Sequence, residues 1–312
     1  MTGDESAGSL LARLDAPAGE HTRFAVLADA HVSTREEGTS KLFDHTLAHL
    51  EAAVADINER DVDVVLSPGD LTKDGEPWNY DAVDGALDAL EAPFFAVPGN
   101  HDVPKAGDEH DTPPVSRFAE RYGPGRLPFH VEVGGLDVVG VNSAGTADRL
   151  FERHEGRVDE ETNAWLAETL ADADTPVVLS HHNLPPVDDQ IAAHREIEPE
   201  MVEIPGMLDA DPFAEALAAG GTDLLLTGHY HLPATGRYDG VREIATPATC
   251  SFPQSYLLCE TTPAGTEIRL VPVADEVGLE TGHHGRAGDS ATSRGLTAIA
   301  AARLASFPLV SE

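Results

Sequence analysis

Residues 94–102 read FFAVPGNHD, an apolar run too short for a helix that breaks at Pro98-Gly99 and ends on Asn100, His101 and Asp102. The same grammar recurs along the chain. FAVLA at 24–28 runs into Asp29-Ala30-His31, and VVLSPG at 64–69 runs into Asp70. VVLS at 177–180 runs into His181-His182, and LLLTG at 224–228 into His229-Tyr230-His231. Each run reads as a buried strand. Each delivers polar residues just beyond its carboxyl end, where open α/β sheets place their ligand sites.

Outward from these strands the helices follow. Residues 40–60 carry Leu42, Phe43, Leu47, Leu50, Val54 and Ile57 at helical spacing, and 79–91 reads as a second amphipathic helix. Strand and helix alternate, so a largely parallel α/β core is expected. FHVEV at 129–133 and LDVVGVNS at 136–143, joined by Gly134-Gly135, predict a hairpin. Further helices are expected around Trp165, Leu166 and Leu170 and near 210–219. Residues 241–273 alternate like an antiparallel meander, and the Gly/Ser-rich stretch 282–294 breaks the pattern before a last helix near 295–305. The expected organisation is a flexible segment at 1–20, one domain at 21–273, and a C-terminal extension at 274–312 with one helix.

Composition narrows the class. The 312 residues include 55 Asp and Glu against 20 Lys and Arg, a net charge of −35. The lysines are Lys41, Lys73 and Lys105, and the other cations are arginines. Repulsion on this scale is severe in dilute buffer and screened in molar salt, a composition that resembles halophilic proteins. Loose nucleic-acid binding depends on Lys and Arg displacing counterions, so the charge balance argues against a nucleic-acid partner. With 41% hydrophobic residues the chain has the means to fold. No run of 18 apolar residues offers a membrane span. The acidic N-terminal stretch lacks a basic-then-apolar leader pattern, and a cytoplasmic location is the expectation. Cys250 and Cys259 are too few for a disulfide framework or a cysteine-rich zinc site.

Spacing supplies the chemistry. In extended chain, residues i and i+2 point to one side, so Asp29 with His31 and His229 with His231 can each chelate one ion. Gly69, Gly99 and Gly228 each precede a candidate ligand, where glycine permits a sharp turn. Imidazole, carboxylate and amide together suit Mn²⁺, Fe, Co²⁺ or Zn²⁺ better than an all-oxygen Mg²⁺ or Ca²⁺ cage. An Asp-x-His pair alone occurs often by chance; five strand ends that each deliver Asp, Asn or His in this order do not.

The series Asp29-x-His31, Gly69-Asp70, Gly99-Asn100-His101-Asp102, Ser180-His181-His182 and Gly228-His229-x-His231 resembles the calcineurin-like metallophosphoesterases, and within them the prokaryotic cyclic-nucleotide phosphodiesterase branch. The likeness runs over about residues 22–273. Asn183 stands where that family usually has proline, and the segment after 274 has no family counterpart. The resemblance implies an α/β fold in four layers, a two-layer β-sandwich flanked by helices, with two divalent metal ions at its edge. Asp29, His31 and His231 would hold one ion, Asn100, His181 and His229 the other, and Asp70 would bridge. His182 would support these ligands from behind.

The implied reaction is hydrolysis of a small phosphate ester by a hydroxide shared between the ions, with Mn²⁺ the leading candidate. His101 would stand over the ions to stabilise the transferring group or protonate the leaving oxygen, and Asp102 would orient its ring. Phosphodiesters, cyclic nucleotides among them, are the leading substrates. A phosphomonoesterase, a nucleotide-sugar pyrophosphatase and a non-catalytic scaffold are the alternatives. The Pro-rich loops 103–117 and 183–207 are candidate lids, with Met201, Ile204 and Met207 offering an apolar face. The residues leave the oligomeric state open.

The charge excess carries a prediction of its own. Thermal unfolding followed between about 0.1 and 3 M KCl should shift to higher temperature as salt screens the carboxylates. A flat or falling midpoint would contradict the halophilic reading.

Overall fold

Apart from the edge strand at Phe94–Ala96, the apolar runs form strands buried on both faces, which is why they read as continuous rather than alternating. The computed structural model describes residues 8–145 and 154–312. In chain order its elements begin β1 (Ser9–Leu14), β2 (Thr22–Val26), α1 (Thr46–Asn58), β3 (Val64–Ser67), α2 (Pro77–Leu87), β4 (Phe94–Ala96) and α3 (Val115–Tyr122). There follow β5 (Phe129–Val133), β6 (Leu136–Gly140), α4 (Glu160–Ala171), β7 (Pro176–Leu179), α5 (Pro185–Arg195), α6 (Ala210–Ala219) and β8 (Leu224–Thr227). The chain closes with β9 (Ala234–Tyr238), β10 (Val241–Ala245), β11 (Ser255–Thr262), β12 (Gly265–Pro272), α7 (Glu276–Asp289), α8 (Ala291–Leu304) and β13 (Val310–Ser311).

Two sheets result, one ordered β13-β1-β12-β11-β2-β3-β4 and the other β5-β6-β7-β8-β10-β9. The strands β2, β3 and β4 run parallel in the first, and β6, β7, β8 and β10 in the second. Phe24, Val26 and Leu66 of one sheet meet Val138, Leu179 and Leu226 of the other in the central core. Their neighbours in sequence point outward, as a period of two requires. Ala25 and Val65 pack against Leu50, Val54 and Ile57 of α1, while Val178 and Leu225 pack against Leu166 of α4 and Phe213 and Leu217 of α6. Helix, sheet, sheet and helix make the four expected layers, and the carboxyl ends of β2, β3, β4, β7 and β8 share one edge. Among the described residues, no helix is long and apolar enough to cross a membrane.

Four expectations need correction. The segment 1–20 is not loose where it is described: Ser9–Leu14 pairs with β12 and β13, with Leu11 and Leu14 buried between the sheets. Residues 1–7 lie outside the described residues. The stretch 241–273 is not one meander, because β10 joins the second sheet beside β8 while β11 and β12 join the first. Residues 282–289 continue a helix, α7, despite three glycines that each disfavour one by about 1 kcal/mol. Asp275 caps that helix through the Gly278 amide at 2.8 Å, and tertiary packing supplies the rest. The extension at 274–312 therefore holds two helices and a returning strand rather than one helix. Asn183, the departure after the histidine pair, donates to Thr227 Oγ1 at 2.7 Å and Glu243 Oε1 at 2.9 Å in a buried network.

Leu11 tests the first correction. Leu11→Ala should cost about 2–5 kcal/mol in urea unfolding, as expected for a leucine buried between sheets. A change near zero would mean that β1 is a dispensable tail.

Candidate metal centre

Beyond their last paired residues, β2 and β3 stay zipped together. Leu27 N–H donates to Leu66 O, Asp29 N–H to Gly69 O, and His31 N–H to Asp70 O, each at 2.9 Å. In this zipped segment the backbone is not extended. Asp29, His31 and Asp70 have φ of 50°, 42° and 56°, and His229 and His231 have 74° and 56°. The i, i+2 pairs do converge, but through left-handed turns rather than through strand geometry. Such conformations cost about 1–2 kcal/mol each in a non-glycine residue, and strain of this kind concentrates at functional sites. Gly99 permits the closest approach, since a Cβ there would lie 2.1 Å from Asp70 Oδ1.

The candidate ligands meet in two groups. In the first, His31 Nε2 lies 3.0 Å from His231 Nε2 and 4.0 Å from Asp29 Oδ1, which is 3.3 Å from His231 Nε2. In the second, Asn100 Oδ1 lies 3.0 Å from His181 Nε2 and 3.1 Å from His229 Nδ1. Asp70 Oδ2 sits between them, 3.4 Å from both His31 Nε2 and His181 Nε2. Asp29, His31, Asp70, Asn100 and His181 are at most 2% exposed. The remaining ring nitrogens are held from outside. His181 Nδ1 donates to Pro68 O at 2.9 Å, His229 Nε2 to Pro205 O at 2.8 Å, and His231 Nδ1 meets Ser251 Oγ at 3.1 Å. Such outer contacts fix which nitrogen faces inward.

This donor set fits divalent cations. Asp29 Oδ2 is buried with no hydrogen-bond partner, and Asp29, His31, Asp70 and His231 each offer a ligand atom within 4.8 Å of the others. A buried carboxylate oxygen left unpaired, as Asp29 Oδ2 is, calls for a positive charge. His181 carries the electrostatic imprint: burial pulls its pKa down, but Asp70 outweighs that and holds it up to about 9. Burial depresses the pKa values of His31, His229 and His231 instead.

Around this core the sequence-derived residues fall differently. His182 faces away, its Nδ1 on Ser143 Oγ at 2.9 Å and its Nε2 donating to His154 O at 2.9 Å, so both nitrogens are engaged. His101 N–H donates to Asp70 Oδ1 at 2.8 Å. Asp102 does not orient the His101 ring. Its carboxylate accepts from the amides of Leu71, Thr72 and Gly99 at 3.0–3.1 Å and so ties the two ligand-bearing loops together. The ring belongs to Asp74, whose Oδ1 accepts from His101 Nδ1 at 3.0 Å and from Lys105 Nζ at 2.5 Å. Lys41 Nζ stands 3.1 Å from His31 Nδ1 and 3.4 Å from His101 Nε2. Sequence reasoning missed Asp74 and Lys41, although two of only three lysines gather at this site.

A cavity of about 400 Å³ opens over these groups, within the usual range for a small ligand. Its lining combines Lys41, Asp70, Asn100 and His101 with Ile204, Pro205, Ser293 and Leu296. Of the expected apolar face only Ile204 reaches the cavity. Met201 and Met207 are buried in the cores beneath. Within the loop at 183–207, Pro185–Arg195 forms α5, and the stretch after it brings Ile204 and Pro205 to the cavity.

Comparison with known proteins agrees with this geometry. The calcineurin-like phosphoesterase family signature matches residues 22–233. A probable cyclic nucleotide phosphodiesterase of Psychrobacter is 29% identical over 215 residues, covering 66% of this chain and 58% of that protein. The DNA double-strand break repair protein Mre11 of Haloferax volcanii is 29% identical over 261 residues, covering 80% of this chain and 51% of its own length. This chain therefore spans little more than half of either relative. A dimetal phosphatase from Danio rerio superposes with a TM-score of 0.61 at 14% identity, covering 81% of this chain and 99% of that one, and shares the fold.

His181 generates a test. To act as a ligand its Nε2 must lose a proton that the metal-free site retains below about pH 9. Loading with Mn²⁺ at pH 7 should release about one proton, and affinity should fall as pH is lowered. Calorimetric titration in buffers of different ionisation enthalpy checks this; a buffer-independent heat would contradict it. The spaced strand-end residues and the family match lead to one conclusion: the chain belongs to the calcineurin-like phosphoesterases.

Proposed function

We propose that the protein hydrolyses small phosphodiesters at a two-metal centre, with Asp29, His31 and His231 holding one ion, Asn100, His181 and His229 the other, and Asp70 shared. The observation that carries this is the position of Asp70 Oδ2, 3.4 Å from a histidine nitrogen of each group. Two cations, Mn²⁺ suiting this mixed nitrogen and oxygen set, would neutralise the phosphoryl oxygens and lower the pKa of a water between them. The side chains supply the rest.

Asp74 accepts a hydrogen bond from His101 Nδ1–H and so turns Nε2 toward the cavity. Burial, with Lys41 beside it, depresses the His101 pKa to about 4, leaving the ring neutral and able to accept from the Lys41 ammonium in the free site. An anionic ester entering the cavity offsets the lysine charge and draws the ring toward its protonated form. Nε2–H is then placed to donate to the leaving oxygen. Ile204, Pro205 and Leu296 give an apolar wall for that group, which suits a nucleoside more than a bare phosphate. The similarity to a cyclic nucleotide phosphodiesterase supports the same substrate class. The similarity to Mre11 favours a nuclease reading, against which stands the net charge of −35.

The test is a panel in molar salt with Mn²⁺, comparing a cyclic nucleotide, bis-p-nitrophenyl phosphate, p-nitrophenyl phosphate, a nucleotide sugar and single-stranded DNA. Diesters should be turned over fastest, and a preference for the monoester or for DNA would overturn the proposal. His101→Ala should keep both metals and lose roughly 10²–10⁴ in turnover, less for nitrophenolate than for poor leaving groups. Asp74→Asn should share that leaving-group dependence, whereas Asp102→Asn should act through weaker metal binding. Full activity in metal-loaded His101→Ala would remove the residue from the mechanism.

A further inference from the structure

Arg286 heads the largest fully buried side chains, and it lies on α7, beyond residues 22–233, which the family signature matches. Its guanidinium reaches the two loops that hold His231. Nη1 donates to the His231 carbonyl at 2.6 Å and to the Phe252 carbonyl, and Nη2 donates to the Tyr230 carbonyl at 3.1 Å. One of these loops carries the His231 side chain itself. The other carries Ser251, whose hydroxyl meets His231 Nδ1 at 3.1 Å.

The His231 loop needs such a clamp. His229 and His231 both hold left-handed backbone, at φ of 74° and 56°, a conformation that persists only when its surroundings over-determine it. A planar fork with five donors can fix several carbonyls at once, which a lysine cannot. The helix is seated for this contact. One turn before Arg286, Gly282 packs so closely on Gln254 that a Cβ would fall 2.1 Å from its Oε1, and Gly285 faces Leu42. Gly282 and Arg286 are the buried residues of α7.

We propose that Arg286 is a positioning residue of the metal centre, locking the Tyr230–His231 backbone to the Ser251–Phe252 loop so that His231 Nε2 meets Asp29 and His31. The inference rests on the reading of His231 as a metal ligand. It makes the C-terminal helix part of the site's construction, and it explains why a fully buried arginine is paired with carbonyls rather than with a carboxylate.

The experiment measures equilibrium Mn²⁺ binding by competition with a chelating dye, with circular dichroism to verify folding, on wild type, Arg286→Met, Arg286→Lys, Gly282→Ala and His231→Ala. In Arg286→Met one ion should bind about 10–100-fold more weakly while the other is unchanged, the range seen when an outer partner of a ligand is removed. Arg286→Lys should fall between, and Gly282→Ala, whose Cβ would press on the Gln254 amide against which the helix is seated, should weaken the same ion to a smaller extent. At saturating Mn²⁺ the kcat of Arg286→Met should return to within about twofold of wild type. Native affinity for both ions in folded Arg286→Met would overturn the proposal, as would a kcat deficit that persists at full occupancy. Should Arg286→Met not fold, native affinity for both ions in folded Arg286→Lys would overturn it equally. Loss of one ion in His231→Ala, whatever the arginine variants do, upholds the ligand reading; two normally bound ions there would sink that reading separately.

Discussion

The structure depends on one buried carboxylate. Asp70 Oδ2 stands 3.4 Å from His31 and 3.4 Å from His181, in a region from which water is nearly excluded. A charge taken out of water is tolerated only with partners of opposite sign or with dense hydrogen bonding. The protein offers Asp70 a backbone amide from His101 and the imidazolium of His181, while leaving Asp29 Oδ2 with no hydrogen-bond partner. That shortfall is what makes the edge of the sandwich a cation site rather than a core.

The rest of the fold can be understood as the scaffold for this arrangement. Two sheets packed through Phe24, Leu66, Leu179 and Leu226 bring the ends of β2, β3, β7 and β8 together. Five left-handed residues then bend the side chains inward, and Asp102, by accepting the amides of Leu71, Thr72 and Gly99, keeps the bend at Asp70 in place. At about 1–2 kcal/mol for each bend, the strain is comparable with a sizeable part of a domain's net stability. Metal binding to the folded state offsets such a cost by mass action.

Much of this was legible in the sequence because strands buried on both faces leave an unambiguous apolar signature and the ligands cap them directly. The hairpin at Gly134-Gly135 and the helix over 210–219 emerged for the same reason, from pattern and length. What escaped depends on contacts distant in sequence. Leu11 and Leu14 read as a tail because a six-residue strand reveals itself only against its partner β12. The glycines of α7 read as a break, since the contacts of Gly282 with Gln254 and of Gly285 with Leu42 that offset their helix cost are tertiary. Asp74 lost its place to Asp102 because adjacency in sequence suggested a partner that the turn after Asn100 directs elsewhere. Lys41 and Arg286 belong to no strand end, and nothing local marks them.

The central claim is a pair of metal ions sharing Asp70. Crystals grown with Mn²⁺ and measured on either side of the manganese absorption edge test it most directly. The account predicts two anomalous peaks about 3.5–4 Å apart, flanking Asp70. One should lie among Asp29, His31 and His231, and the other among Asn100, His181 and His229. A single peak, or two peaks with Asp70 bound to neither, would contradict it.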